Sequence, residues 1–145
     1  IASDKFMETT TIQLEFYDDQ KLDFNIQTIP FEQLLKESDF ITLHVPAQDG
    51  YVIGKNEIDK MKTGAGIVNA ARGGVINEDD LLEALNNGKV AACALDVFVG
   101  EPSPRADILT HKKIALTPHV GAATVEAQDR IGTELASQII DFYNK

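Results

Sequence analysis

Four short segments rich in apolar residues alternate with helical patterns in this chain, and this alternation limits the possible folds. The segments span residues 40–45, 66–69, 90–95 and 113–117. The third is almost uniformly apolar, which is typical of a strand in a sheet that is covered on both faces. Strands that alternate with helices are joined by right-handed crossovers and form a parallel sheet. The sequence therefore predicts an α/β domain with a doubly wound parallel sheet.

Helix signals separate the predicted strands. Pro30 suits the first turn of a helix that ends at Ser38-Asp39, and a short helix is predicted over residues 56–62. Asn77 is a good N-cap, the three acids that follow it favour a first helical turn, and Gly88 is typical of a C-cap. The longest helical pattern covers residues 124–143. Its apolar residues recur on one face at helical spacing: Ile131, Leu135, Ile139 and Phe142.

Residues 11–28 have the alternation of a β-hairpin. Apolar side chains occupy every second position on both sides of the polar turn Asp18-Asp19-Gln20, with the first strand predicted over residues 11–17. They are Ile12, Leu14, Phe16, Leu22, Phe24 and Ile26. A two-stranded hairpin with an apolar face needs cover, so we expect it to pack on the domain or on another subunit.

Composition excludes several classes of protein. The chain of 145 residues is 43% hydrophobic and 25% charged, and its formal net charge of -10 argues against a nucleic-acid-binding surface. No uncharged apolar run is long enough to span a membrane, and we expect a cytoplasmic protein. Cys93, the single cysteine, is predicted to be a small core residue. The histidines and acids lack metal-ligand spacing within any one element, so we expect no metal site.

Polar or small residues follow every predicted strand, and Ile1-Ala2-Ser3-Asp4 is typical of a strand that ends on an acid. The carboxyl ends of parallel strands form the ligand-binding edge of an open α/β sheet. Together these residues include a histidine for proton exchange, an acid to orient it and an arginine to hold an anion. The residues at this edge are Asp4, His44-Val45-Pro46, Ala70-Ala71-Arg72, Asp96, the nearby Glu101, and Thr117-Pro118-His119.

Each of these residues also has a purely structural interpretation. Arg72 could be a surface residue beside a glycine turn, and His119 could bond backbone groups after Pro118. His44 could be a packed or backbone-bonding histidine, and His111 a solvated loop residue. Asp96 could cap a helix or turn, and Glu101-Pro102 could be an ordinary turn.

Three ordered motifs resemble the signatures of the D-isomer-specific 2-hydroxyacid dehydrogenases. They are Val68-Asn69-Ala70-Ala71-Arg72-Gly73-Gly74, Ala94-Leu95-Asp96-Val97-Phe98 with Glu101-Pro102, and Thr117-Pro118-His119-Val120-Gly121-Ala122. The stretch Ala123-Thr124-Val125-Glu126-Ala127-Gln128-Asp129-Arg130-Ile131-Gly132 further resembles the D-3-phosphoglycerate dehydrogenase branch.

The resemblance implies NAD as the cofactor and assigns roles to individual residues. Arg72 would bind the substrate carboxylate, His119 would exchange the hydroxyl proton, and Glu101 would orient the imidazole. Asp4 would accept from the adenosine ribose hydroxyls, which favours NAD over its 2'-phosphorylated relative, and Asp96 would bond the nicotinamide amide. The residues implied in the cofactor site are Asp4, Val45, Pro46, Ala70, Ala71, Arg72, Asp96, His119, Gly121 and Ala122.

The sequence also departs from the family pattern. No glycine-rich phosphate turn precedes Asp4, and the segment from Thr9 to Thr28 is longer than the family's usual connection after the ribose-binding acid. The resemblance therefore implies the C-terminal part of an NAD-binding domain over residues 1–123, without its first strand but with an inserted hairpin. Residues 124–145 would be an interdomain helix that leads back to a substrate domain. We expect this piece to be inactive alone and the intact protein to be a homo-oligomer, dimeric or tetrameric.

The function that the resemblance implies is the NAD-dependent oxidation of a small D-2-hydroxy acid. D-3-phosphoglycerate, oxidised in serine biosynthesis, is the first expectation. Two alternatives remain open: an enzyme of the D-lactate or glyoxylate type, and an NAD-binding regulatory protein that resembles the corepressors of this fold.

Overall fold

The computed structural model describes residues 1–17 and 20–144, so Asp18 and Asp19 of the predicted hairpin turn lie outside the described residues. Six strands and five helices are present in this part of the chain. In order they are β1 (Thr9–Glu15), β2 (Lys21–Gln27), α1 (Phe31–Glu37), β3 (Phe40–Leu43), α2 (Lys55–Lys60), β4 (Ala65–Asn69), α3 (Glu78–Asn87), β5 (Val90–Leu95), α4 (Ala106–Leu109), β6 (Ile114–Leu116) and α5 (Val125–Tyr143).

The predicted parallel sheet is confirmed. Its four strands lie in the order β3-β4-β5-β6, and the register aligns Ile41 with Ile67, Ile67 with Cys93, and Cys93 with Ile114. Strand β3 ends two residues earlier than predicted, because His44 and Val45 leave the ladder at the carboxyl edge. Strand β6 is likewise shorter than residues 113–117. The architecture is Rossmann-like, because the segments after β3, β4 and β5 each return the chain to the start of a parallel neighbouring strand.

One face of this sheet carries the hydrophobic core. Ile41, Ile67 and Cys93 are at most 4% exposed and share a cluster with apolar residues of the first four helices. Cys93 is thus a core residue as predicted, and burial raises the pKa of its thiol to about 12. On the opposite face Ala92 is exposed and Ala94 is half-buried, so within the described chain β5 is covered on one face instead of the predicted two.

The hairpin prediction is also confirmed. Strands β1 and β2 pair antiparallel from Thr9 with Gln27 to Glu15 with Lys21. The first strand begins and ends two residues before its predicted bounds, and Tyr17 lies in a turn because the N–H group of Phe16 donates to the carbonyl oxygen of Gln20. Five apolar side chains of the hairpin are 45–48% exposed: Ile12, Leu14, Phe16, Leu22 and Phe24.

The capping predictions hold at both ends of α3. The side chain of Asn77 accepts from the N–H groups of Asp79 and Asp80, and Gly88 ends the helix in the left-handed region at φ +82°. Thr124 caps α5 through the N–H group of Ala127. No residue of α5 is buried, and helix α4 was not predicted from the sequence. No helix in the described residues is both long and apolar enough to cross a membrane.

Candidate active site

The turn after β4 is built by a buried asparagine. Asn69 is 2% exposed; its Oδ1 atom accepts from the N–H group of Ala71 at 3.1 Å, and its Nδ2 atom donates to the carbonyl oxygen of Arg72 at 3.0 Å. These two bonds fold the chain back on itself directly after the strand. We assigned Asn69 no role from the sequence, although an amide that ends an apolar strand was the available signal.

Gly73 brings this turn against the segment that follows β5. A Cβ atom at position 73 would lie only 2.0 Å from the carbonyl oxygen of Phe98, so no larger residue fits there without a backbone shift. The close approach of the two backbones explains why glycine follows the arginine. It also joins the Arg72 turn to the loop that carries Glu101.

Arg72 is exposed and makes no ion pair among the described residues. Its Nη1 atom donates to the carbonyl oxygen of Ala71 at 2.6 Å, a bond that uses one of the five N–H groups of the guanidinium. Arg105 differs, since hydrogen bonds to Asp107 and Asp79 occupy its guanidinium and raise its pKa. Arg72 therefore keeps donors that could hold an anion.

His119 forms the second part of the site together with Glu101. The Nδ1 atom of His119 lies 2.6 Å from Oε2 of Glu101, and Oε1 of Glu101 accepts from the N–H group of Phe98 at 2.7 Å. The hydrogen bond to His119, and then that from Phe98, lower the pKa of Glu101. An ionised carboxylate only accepts, so Nδ1 carries the proton in this pair and a neutral imidazole has its lone pair on Nε2.

The other two histidines have no carboxylate partner in the described structure. His44 is exposed, and its Nε2 atom lies 3.0 Å from the Thr42 hydroxyl, so the interpretation of His44 as a packed or backbone-bonding residue is wrong. His111 lies 3.3 Å from the side-chain oxygen of Asn86 and accepts from the N–H group of Lys113. His119 is therefore the histidine equipped for proton exchange.

Asp96 holds the turn in which His119 lies. Asp96 is 8% exposed, and its Oδ1 atom accepts from the Thr117 hydroxyl at 2.6 Å and from the N–H group of Val120 at 2.9 Å. Its Oδ2 atom accepts from the N–H group of Gly121 at 3.1 Å. Burial would raise the pKa of Asp96, but these hydrogen bonds outweigh burial and lower it. Asp96 thus caps a turn, which was the structural alternative; its bond to a nicotinamide amide stays a prediction.

The bonds of Asp96 hold His119 in an unusual backbone conformation. His119 has φ +54°, in the left-handed region that costs a residue with a side chain about 1–3 kcal/mol. The contacts from Thr117 on one side and from Val120 and Gly121 on the other hold the backbone there. The turn therefore fixes where the imidazole is presented.

We expect Asp96→Ala to lower the free energy of unfolding by about 2–4 kcal/mol at pH 7, because three donors lose their acceptor. Since the pKa of Asp96 is lowered, its contribution is complete above the ordinary carboxyl value and is lost as the pH falls through the lowered pKa. The difference in the free energy of unfolding between wild type and Asp96→Ala should therefore become smaller in acid. Urea unfolding at several pH values measures it.

Asp39→Ala is the matched control for this prediction, because the Asp39 side chain is 75% exposed and its carboxylate pairs with Lys62 on the surface. We expect it to change the free energy of unfolding by less than about 1 kcal/mol. Equal losses in the two variants would show that the Asp96 bonds contribute nothing beyond a surface ion pair.

The predicted cofactor residues Asp4, Val45 and Pro46 do not join this cluster. The strand predicted to end at Asp4 is not part of the described sheet, since Ala2 makes only an isolated bridge with Thr28. The Oδ1 atom of Asp4 accepts from the N–H groups of Phe6 and Met7 at 2.7 and 3.0 Å. Val45 is half-buried, Pro46 is exposed, and neither shares a described hydrogen bond with His119 or Arg72. The described residues contain no group of three acids, histidines or cysteines arranged to hold a metal ion.

A parallel sheet that carries a histidine–carboxylate pair and an arginine at its carboxyl edge defines an α/β domain of the nucleotide-binding class. Comparison with known proteins narrows the class. The D-isomer specific 2-hydroxyacid dehydrogenase family matches in its NAD-binding domain over residues 5–121. The chain belongs to this family.

Individual relatives agree with this assignment. The chain is 45% identical over 130 residues to a hydroxypyruvate reductase of Thermotoga maritima, covering 85% of this chain and 42% of that protein. It is 50% identical over 109 residues to a D-3-phosphoglycerate dehydrogenase of Methanocaldococcus jannaschii, covering 74% and 21%. An NAD-dependent formate dehydrogenase of Staphylococcus aureus, solved with NAD, superimposes with a TM-score of 0.68 at 32% identity, covering 81% and 37%. The chain thus spans less than half the length of each.

NAD is the cofactor of this domain, and the residues present fit it. Asp4 uses only Oδ1 in its described hydrogen bonds, so Oδ2 can accept from a ribose hydroxyl. Asp96 accepts one described bond at Oδ2 and has capacity for another. Ala70 is small and exposed at the carboxyl end of β4, where a flat ligand can approach the backbone.

Proposed function

We propose that the full-length protein is an oxidoreductase that oxidises a D-2-hydroxy acid to the 2-oxo acid with NAD, and that D-3-phosphoglycerate is its preferred substrate. The observation that carries this proposal is the His119–Glu101 pair at 2.6 Å, linked through Phe98 to the turn of Arg72, which makes no ion pair within the described part of the chain. This arrangement offers a base and an anion-binding group at one edge of the sheet. The phosphoglycerate assignment draws its support from relatives of that name.

The residues of the edge divide the chemistry among them. When bound, NAD supplies the acceptor for the hydride. Arg72 binds the substrate carboxylate through charge-assisted hydrogen bonds. His119 takes the hydroxyl proton at Nε2, and the ionised Glu101 balances the positive charge that then develops on the imidazole. Charge grows on His119 only as the reaction proceeds, so Glu101 stabilises the transition state more than the ground state.

The cofactor site that we propose follows the carboxyl edge. Asp4 would hold the adenosine ribose, and small or apolar residues would line the dinucleotide. Asp96 would hold the nicotinamide amide while keeping its bonds to the His119 turn. The lining residues in this proposal are Val45, Pro46, Ala70, Ala71, Arg72, His119, Gly121 and Ala122.

We further propose that residues 1–123 belong to the NAD-binding domain and that residues 124–145 lead to a substrate domain. Helix α5 supports this division, because Ile131, Leu135 and Ile139 are 49–55% exposed at helical spacing. An apolar helix face in water is typical of a helix that packs on another unit. The substrate-binding wall would then lie outside these residues, and this piece alone would be inactive.

The experiment that tests the proposed function is a substrate panel. The full-length protein is assayed for NAD reduction with D-3-phosphoglycerate, D-lactate and D-glycerate, and for NADH oxidation with hydroxypyruvate and glyoxylate. The highest kcat/KM with D-3-phosphoglycerate supports the proposal. A preference for hydroxypyruvate or glyoxylate supports the second candidate, which the similarity to a hydroxypyruvate reductase favours. NAD binding without turnover of any acid would indicate a regulatory protein.

We also propose that the protein is a homo-oligomer in which the apolar hairpin face of one copy packs on a second copy. The described side chains of this face are apolar: Ile12, Leu14, Phe16, Leu22 and Phe24. Two copies with net charge -10 can therefore pack these side chains together without bringing like charges into contact there. Phe24→Glu should lower the molar mass measured by light scattering to that of a monomer. Asn25→Glu, on the opposite face, should leave it unchanged. An unchanged mass in Phe24→Glu would contradict the proposed contact.

A further inference from the structure

Glu78 is a buried carboxylate outside the set of residues assigned above. It is the first residue of α3 and is 8% exposed. Its Oε1 atom accepts from the N–H group of Val99 at 2.8 Å, and its buried Oε2 atom has no hydrogen-bond partner among the described residues. Burying a carboxylate with an unpaired oxygen costs free energy.

The partner of Glu78 lies in the loop that carries Glu101. Two carboxylates accept from successive backbone N–H groups of this loop: Glu101 from Phe98 at 2.7 Å and Glu78 from Val99 at 2.8 Å. The other oxygen of Glu101 contacts Nδ1 of His119. A continuous series of hydrogen-bonded groups therefore leads from α3 through the loop to the imidazole.

The two ends of this series differ in burial. Helix α3 is fixed in the core by Leu81 and Leu85, which are 0% exposed, and by the Asn77 cap. By contrast, Val99, Gly100 and Glu101 are exposed. Among the described residues, the bond between Glu78 and Val99 is the hydrogen bond that joins these loop residues to α3. This bond therefore holds the exposed loop at a fixed position relative to the packed helix.

We propose that Glu78 is a positioning residue: by fixing Val99 it places Oε2 of Glu101 against Nδ1 of His119. This inference rests on the proposed function, because Glu78 would act by keeping His119 in the tautomer and orientation that leave Nε2 free for the substrate. Positioning errors of the order of 1 Å are costly for catalysis. Glu78 touches neither substrate nor cofactor in this scheme.

The test compares three substitutions in the full-length protein: Glu78→Ala, Glu78→Gln and the control Glu83→Ala. Glu83 also lies on α3, but it is exposed and its carboxylate pairs with Lys55 on the surface. We expect Glu78→Ala to lower kcat by about 10- to 100-fold with KM for NAD almost unchanged. Glu78→Gln keeps an oxygen acceptor for Val99 and should retain most of kcat, and Glu83→Ala should behave as wild type.

A second readout does not need turnover. The proton in a short hydrogen bond between His119 and an ionised carboxylate gives a far-downfield NMR signal in the ligand-free protein. We expect this signal in wild type and Glu78→Gln, and its loss or upfield movement in Glu78→Ala. If Glu78→Ala does not fold, Glu78→Asp replaces it, since its shorter side chain keeps the charge but not the reach. Its expected result is the same.

Two results would overturn the inference. The first is an unchanged kcat and an unchanged downfield signal in Glu78→Ala or Glu78→Asp. The second is an equal loss in Glu78→Gln and Glu78→Ala, because that would show that the charge and not the bond to Val99 matters. A wild-type protein that shows the signal but no turnover would contradict the proposed function instead, and the signal in the variants would still decide the role of Glu78.

Discussion

His119→Ala is expected to lower kcat for oxidation of the 2-hydroxy acid by about 10²–10⁴-fold, the usual contribution of a positioned general base. The variant removes the one histidine with a carboxylate partner in the described structure, at 2.6 Å from Glu101. NAD affinity should change little, since most of the proposed cofactor contacts come from other residues. Initial rates of NAD reduction and calorimetric titration with NAD measure the two effects separately.

His111→Ala is the matched control, because His111 bonds only Asn86 and a backbone N–H group in the described structure. We expect wild-type rates from it. A His119→Ala protein that turns over at the wild-type rate would remove the proposed mechanism. Equal losses of kcat in the two histidine variants would point to a general loss of structure.

Arg72→Ala is expected to lower kcat/KM for the hydroxy acid by about 10²–10⁴-fold, because hydrogen bonds to charged groups contribute about 1.5–3 kcal/mol each and a guanidinium can make two to one carboxylate. The guanidinium of Arg72 makes a single hydrogen bond in the described structure, to the carbonyl oxygen of Ala71, so most of its donors are available to a substrate. Arg72→Lys should recover only part of the loss, since an ammonium lacks the planar pair of donors. Steady-state kinetics at several substrate concentrations measure both variants.

The control for Arg72 is Arg105→Ala. Arg105 already pairs with Asp79 and Asp107 on the surface, and exposed pairs of this kind contribute about 0–1 kcal/mol. Its kcat/KM should stay near the wild-type value. An Arg72→Ala protein with unchanged kcat/KM for every acid of the panel would show that the substrate anion is held elsewhere.

Local periodicity made most strands and helices of this chain predictable, although helix α4 was missed. The apolar run at Val90–Leu95 matches β5 in both bounds, and the Asn77 and Gly88 caps match α3, because these signals depend on neighbouring residues. The hairpin followed from period-two alternation, which depends only on the sequence of the two strands. The ends of the strands were not predictable in the same way, because they depend on the partner strand. Strand β3 stops at Leu43, which pairs with Asn69 at the end of β4.

Partners distant in sequence were not predictable. The bonds of Asp96 to Thr117, Val120 and Gly121 span 21–25 residues, and no local pattern shows which donors will meet that carboxylate. Glu78 was recognised only as a first-turn acid of α3, whereas the structure joins it to Val99 across 21 residues. The types of the site residues could thus be predicted from the sequence, but the bonds that hold them in place depend on the tertiary fold.

The central claim is that this protein transfers a hydride from C2 of a D-2-hydroxy acid to NAD, with His119 as the base. Incubation of the full-length protein with NAD and D-3-phosphoglycerate deuterated at C2, followed by NMR of the nicotinamide ring, tests it most directly. We predict that deuterium appears at C4 of the reduced ring with the D isomer and not with the L isomer. Reduced cofactor without deuterium, or no reduced cofactor with any acid of the panel, would contradict the claim.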